Sequence, residues 1–171
     1  MTRFLVLGSN SFSGATFSAH VAAAGYEVIA TSRSPEAHDA FLPYRWRPLG
    51  VRFRQIDINH DLDSLDALLR TERPSHVVNF AAQSMVGESW RHPEHWMMTN
   101  VVSTTRLFER LRRLDWLERY VHVTTPEVYG STGGWVREDA PEPDPVPWTL
   151  GWVTRPWAWP QARVGGVVRV G

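Results

Sequence analysis

The sequence predicts an α/β domain of the doubly wound type, a parallel sheet with helices on both faces. Short apolar runs alternate with segments of helical period along the chain, the rhythm of strand, crossover helix and next parallel strand. The first run, Phe4 to Leu7, opens through a glycine-marked turn, Gly8 to Gly14, into an Ala-rich stretch, as where a helix leaves a strand end directly. The third observation is one of position. Ser32-Arg33, Asp57-Ile58, Ala81 to Ser84 and Thr124 to Glu127 each follow an apolar run, so in a parallel sheet they share one rim, where ligands bind.

Taken in order, Phe4 to Leu7 is the first strand and the Ala-rich segment after Gly14 the first helix, which Gly25 stops before a second strand at Val28 to Ala30. Residues 34 to 50 are irregular, with Pro35, Pro43 and Pro48 around a Tyr44-Arg45-Trp46-Arg47 cluster. They read as a surface loop with arginines stacked on aromatics, or as a loop closing over a ligand. Val51 to Ile58 alternates as a third strand. Leu62, Leu65, Leu68 and Leu69 then fall on one helical face. Val77 to Ala82 is a buried fourth strand. A helical region follows, broken near Pro93, in which Val101, Phe108, Leu111 and Leu114 line one face. Tyr120 to Thr124 is the fifth strand.

Composition narrows the function classes. A chain of 171 residues that is 43% apolar with zero formal charge suits one domain with a real core and carries neither a nucleic-acid footprint nor an acidic tail. No run has the length of a membrane span, and one Arg ahead of a strand pattern is not a signal peptide; a cytoplasmic protein is expected. Without cysteine there is no disulfide, thiolate or zinc–thiolate chemistry. His92 and His95 around Pro93 read as polar residues at a helix start, and no metal site is expected. All 18 basic residues are arginine, which closes any lysine-dependent mechanism to this polypeptide.

The turn Gly8-x-x-Ser11-x-x-Gly14 has the chemistry of a pyrophosphate site, because unpaired N–H groups and the positive end of a helix dipole converge where side chains are small. Its middle glycine is replaced by serine, so the turn alone is also compatible with an ordinary surface turn. The end of the second strand bears on the coenzyme. A carboxylate there accepts the ribose 2′-OH of NAD, whereas this chain offers Ser32-Arg33, and a guanidinium suits a 2′-phosphate. NADP is expected, with NAD as the alternative if Arg33 stacks on the adenine.

With these residues in view, the chain resembles the extended short-chain dehydrogenase/reductases, specifically the nucleotide-sugar epimerase/dehydratase family with its Rossmann fold. The matching segments are Gly8-x-x-Ser11-Phe12-x-Gly14, Asp57-Ile58, Asn79 to Val86, Ser89-Trp90 with Pro93-Glu94, Thr99-Asn100 with Thr104, and Thr124 to Gly130. The resemblance covers residues 1 to about 145. It implies a cofactor site of Gly8, Asn10, Ser11, Phe12 and Gly14 in the turn, Ser32 and Arg33 after the second strand, and Asp57 and Ile58 at the adenine. Phe80, Ala81, Ala82, Gln83 and Thr99 would complete it. Ser84 and Val86 would face the sugar of a nucleotide-sugar substrate. Thr125 resembles the family's catalytic Ser/Thr. Glu127 occupies the place of the glutamate base of the 4,6-dehydratases, which removes the proton beside a transient 4-keto group so that the 6-hydroxyl leaves. Pro126 stands where thymidine-sugar dehydratases carry an aspartate acid, a departure shared with guanosine-diphosphate-mannose dehydratases. The resemblance also makes the 101–114 helix a candidate homodimer face.

The resemblance stops near Asp144-Pro145. The family's Tyr-x-x-x-Lys pair has no counterpart, since there is no lysine and no tyrosine follows Tyr129. Residues 146–171 hold four of the nine tryptophans, three prolines, four glycines, six valines and no acidic residue, which disfavours a continuing helix. The expectation is a partial cofactor-binding domain over residues 1–145, truncated before the catalytic helix and the substrate domain. Residues 146–171 are then an irregular, frameshift-derived tail, and the chain is an inactive fragment of a nucleotide-sugar 4,6-dehydratase or epimerase. The alternative is a non-catalytic NAD(P)-binding regulatory or sensor module.

Overall fold

The structure is a computed structural model that describes residues 2–124. Five strands form one all-parallel sheet in the order β3-β2-β1-β4-β5: β1 (Arg3–Leu7), β2 (Glu27–Ser32), β3 (Arg52–Gln55), β4 (His76–Asn79) and β5 (Arg119–His122). The order reverses direction between β1 and β4, which opens a crevice at their carboxyl ends. Register places Leu7 beside Thr31 on one flank and beside Asn79 on the other, so the chains leaving β1, β2 and β4 emerge at one level.

The continuous apolar runs reflect burial on both faces. Leu5, Leu7, Ile29 and Val77 pack toward α2 (Leu62–Glu72) and α5 (Thr104–Leu111), through Leu65, Leu69, Leu107 and Leu111. Val6, Val28 and Ala30 point the other way, to α1 (Phe12–Ala23) and to the segment between β2 and β3. Each fully buried Leu on the first face is worth about 1.5–3 kcal/mol of transfer free energy. The stretch read as an irregular loop is anchored: two short 3₁₀ turns, Asp39–Phe41 and Pro43–Arg45, bury Leu42 and Tyr44 against α1, with Tyr44 1% exposed. The Arg45 guanidinium lies 5.2 Å from the Tyr44 ring centroid, the expected arginine–aromatic stacking.

Helix boundaries follow local chemistry. Gly25, at φ +88°, takes the left-handed position after α1, with Gly25 N–H donating to the Ala22 carbonyl and Tyr26 N–H to that of Val21, the paired closure of a Schellman ending. The region after β4 is broken at Pro93 as expected, into α3 (Val86–Arg91) and α4 (Pro93–Trp96), then continues as a π-helical segment, Met97–Ser103, into α5. Of the expected apolar face, Leu111 and Leu114 are buried with Phe108 packed against them, and only Val101 needs a correction. Val101 is only half-buried, and Thr99, Asn100 and Ser103 turn inward instead, with Leu107 ahead of Leu111. The wider π turn shifts the phase of every residue beyond it, which a constant helical period cannot anticipate.

Candidate functional site

The site begins at the turn after β1. Three donors converge on the Thr31 carbonyl, the Gly8 and Ser9 N–H groups at 2.8 and 2.9 Å and the Ser9 hydroxyl at 3.2 Å, so the turn is pinned to β2. Gly8 has φ +80°, and a Cβ there would lie 2.6 Å from the Ala81 nitrogen and 2.7 Å from the Phe80 carbonyl carbon. A Cβ on Gly14 would sit 2.4 Å from the Gly8 carbonyl oxygen. Both glycines are therefore places where main chain meets main chain. Ser11, in the place of the middle glycine, is the N-cap of α1: its hydroxyl accepts from Gly14 N–H at 3.1 Å and donates to the Gly8 carbonyl at 2.8 Å. The serine closes the turn as it caps the helix, leaving the amides of Phe12 and Ser13 without an intrahelical acceptor, as the first turn of any helix does.

Every residue expected at the cofactor lines one pocket of about 260 Å³ at the carboxyl rim, with two exceptions, Phe12 and Gly14. The Phe12 side chain is 86% exposed and faces a separate apolar groove between α1 and the β4–β5 side of the sheet, beside Phe17, Phe80 and Val121. Only its amide can serve the turn. Gly14 lies buried one step behind, under Gly8. Ser84 is exposed and lies outside that pocket, and Val86 begins α3. Thr125 and Glu127 lie outside the described residues.

The pocket has further walls that sequence reasoning did not assign: Leu7, Thr31, Ser34, Ile56 and Asn59. Asn59 donates through Nδ2 to Thr99 Oγ1 at 3.0 Å, while its buried Oδ1 has no hydrogen-bond partner among the described residues. Asp57 turns the chain into this position by accepting from Asn59 N–H at 2.8 Å. Asn100 holds the far wall, accepting from Gln83 N–H at 2.9 Å and donating to its carbonyl at 3.0 Å. Asn79 accepts from Ala81 N–H at 2.9 Å. The signal for these was polarity: Asn79 and Asn100 are buried amides inside apolar elements, and a buried amide is retained where it satisfies a loop that has no ladder of its own.

Beneath the β4 end, Asn79 and Tyr120 bring Nδ2 and the hydroxyl to Nδ1 of His122, at 3.2 and 2.9 Å. Two donors on one ring nitrogen assign the proton of the neutral imidazole to Nε2, and burial holds the His122 pKa down at about 4. Burial also pushes the Tyr44 hydroxyl up to about 12, with Glu36 adding to the shift. At the surface, His92, Glu94 and His95 bring potential ligand atoms within 4.8 Å of one another, all three exposed; the two imidazoles stack at 5.0 Å.

The family model of GDP-mannose 4,6 dehydratase matches residues 5–145. The chain belongs to that family. A UDP-glucose 4-epimerase of Streptomyces lividans is 30% identical over 155 residues, spanning 90% of this chain and 42% of its own length. A dTDP-glucose 4,6-dehydratase of Xanthomonas campestris is 41% identical over 75 residues, 39% of this chain and 21% of that protein. Among solved structures, UDP-glucose 4-epimerase of Thermus thermophilus in complex with NAD superposes with a TM-score of 0.69 at 27% identity, over 83% of this chain and 44% of that one. The Stenotrophomonas maltophila epimerase, solved with NAD and formylated UDP-arabinopyranose, reaches 0.73 at 22% identity over 90% of this chain and 45% of its own, a likeness of fold. The GDP-mannose 4,6-dehydratase family is thus a nucleotide-sugar dehydratase/epimerase family of the NAD-dependent short-chain dehydrogenase/reductase type, and this chain spans less than half the length of these relatives.

Proposed function

We propose that this chain is the cofactor-binding portion of a nucleotide-sugar 4,6-dehydratase, holding the adenosine diphosphate half of NADP in the rim pocket. The observation that carries the reading is the meeting of Gly8 with the Phe80–Ala81 backbone: the turn closes by main-chain contact that a single methyl would block, and such a tight turn is what aims the first turn of α1 at a pyrophosphate in dinucleotide-binding domains. The unpartnered Oδ1 of Asn59 in the same pocket adds an acceptor suited to an adenosine amino or hydroxyl group.

The phosphate preference rests on charge. Arg33 lines the pocket and is exposed, and among the described residues its guanidinium has no acidic partner. The nearest following carboxylate, Glu36, is held by Arg45 at 2.6 Å and Tyr44 at 3.1 Å, so it is turned from the role of a 2′-OH acceptor. A dinucleotide held there would supply the hydride acceptor for oxidation at C4 of the sugar and the hydride for the later reduction. Thr125 would hydrogen-bond the reacting sugar hydroxyl. Glu127 would take the C5 proton, made acidic by the adjacent ketone, as the C6 hydroxyl leaves. An epimerase would share the cofactor site and the oxidation at C4, and would leave Glu127 idle.

Titration of the purified chain with NADPH and NADH by calorimetry tests the reading. Saturable binding with NADPH tighter by about tenfold is expected from one charge-assisted pairing; saturable NADH binding with no preference would remove the Arg33 assignment, and no binding of either would remove the site. Turnover of nucleotide sugars by this chain is expected to be undetectable, because no lysine is present to hold the nicotinamide ribose and lower a tyrosine pKa.

A further inference from the structure

Asn10 sits in the middle of the glycine turn, yet its side chain points to none of the turn. Nδ2 donates to Ser34 Oγ at 3.0 Å and to the Pro35 carbonyl at 2.8 Å, and Oδ1 accepts from Ala37 N–H at 3.3 Å. A carbonyl can only accept and a main-chain N–H can only donate, so these partners fix which end of the amide is oxygen. Both donors are used, and all three bonds go to one stretch of four residues that contains no helix or strand. That stretch has no ladder of its own, so its position depends on such side-chain bonds.

Just before that stretch, the chain is tied to the end of β3. Gln55 Nε2 donates to the Arg33 carbonyl at 3.0 Å and Ile56 N–H to that of Ser32 at 2.9 Å. Farther along, Glu36 is held by Arg45, whose Nη1 donates to the Val51 carbonyl at 3.1 Å. Arg33 and Ser34 lie between these anchors, and both line the pocket with Asn10. Without Asn10, the stretch just after Arg33 loses its three direct side-chain hydrogen bonds to the turn that would carry the pyrophosphate.

We infer that Asn10 is a positioning residue for coenzyme choice: it sets the distance between the pyrophosphate turn and the Arg33–Ser34 stretch, so that the 2′-phosphate is read only while the staple is closed. The inference rests on the proposed NADP site. It assigns Asn10 no contact with the reacting atoms and gives the loop read as a possible closing flap a fixed place instead.

The test uses the full chain with two probes, 2′,5′-ADP and 5′-AMP, whose affinities differ only through the 2′-phosphate. The unsubstituted chain is expected to bind 2′,5′-ADP more tightly. Asn10→Ala should weaken 2′,5′-ADP by about tenfold and 5′-AMP by less than about twofold, a preference lost with the guanidinium's placement. Asn10→Gly, which any turn backbone accommodates, should do the same and guards against a folding defect, with thermal melting as the control. In an Arg33→Ala background, Asn10→Ala should change the ratio of the two affinities by less than about twofold, since coupled residues are not additive; a residue that merely stabilised the fold would lower both affinities equally. If the unsubstituted chain shows the 2′-phosphate preference and Asn10→Ala keeps it, the staple is overturned and the NADP site stands. If the unsubstituted chain shows no preference, both fall.

Discussion

Alanine at position 8 would need a Cβ 2.6 Å from the Ala81 nitrogen, on a residue whose φ is +80°. Neither side can give way, since both are main chain at the ends of paired strands. Gly8→Ala is expected to lower stability by about 1–3 kcal/mol from backbone strain and to abolish dinucleotide binding in the same calorimetric titration; unchanged binding would show that the cradle is not the site. Arg33 makes the opposite kind of prediction. It is exposed and has no acidic partner among the described residues, so Arg33→Ala should leave the melting temperature within error while removing the preference for NADPH. A residue's exposure thus separates a fold requirement from a recognition requirement.

Single elements carry charges and caps whose effects are read as stability. Ser11→Ala removes the N-cap of α1 and is expected to cost about 1 kcal/mol, read as a shift in the denaturation midpoint without a change in slope. The β5 element responds to pH through His122, whose pKa lies at about 4 against an ordinary 6.5. Between those values the unfolded chain binds a proton that the folded chain refuses, so stability is full above about 6.5 and falls as pH drops toward 4, by roughly 3 kcal/mol at most. Glu72 and Glu109 are held below their ordinary 4.5 by arginine partners and contribute losses only at lower pH. Urea denaturation at pH 7 and pH 5 should show the difference, and His122→Gln, which keeps an acceptor for Asn79 and Tyr120, should flatten it. An equally steep profile in that variant would place the proton elsewhere.

For the whole molecule the pocket is a thermodynamic handle. A ligand that binds only the folded state stabilises it by about 2.7 kcal/mol at a hundredfold excess over its dissociation constant, so NADPH should raise the melting temperature where a nucleotide sugar alone does not. The division of the chain into a cofactor-binding part over residues 1–145 and an unrelated tail remains our proposal, resting on the composition of residues 146–171. Translating the coding DNA from codon 135 onward in all three frames tests it: a Tyr-x-x-x-Lys segment in another frame is expected, and its absence in every frame favours the non-catalytic binding module. Among the described residues no helix is long and apolar enough to cross a membrane.

The residue pattern alone made the doubly wound fold legible, because continuous apolar runs at crossover spacing admit few other arrangements, and it placed the rim residues because parallel strands all end on one side. It marked Gly8, Arg33, Asp57 and Gln83 as neighbours that the pocket does bring together. Whatever depends on phase and on long-range partners came instead from how the elements pack. The π segment turned Asn100 toward Gln83 and left Val101 half-buried, Ser11 became a cap in place of a missing glycine, and Phe12 swung out to another face. Asn10 changed most, from a residue of the turn to a tie between the turn and a stretch 24 to 27 positions away. Local pattern carries the period of an element and the chemistry of a residue, whereas the partner of a polar side chain is chosen by whichever distant backbone the fold leaves unsatisfied beside it.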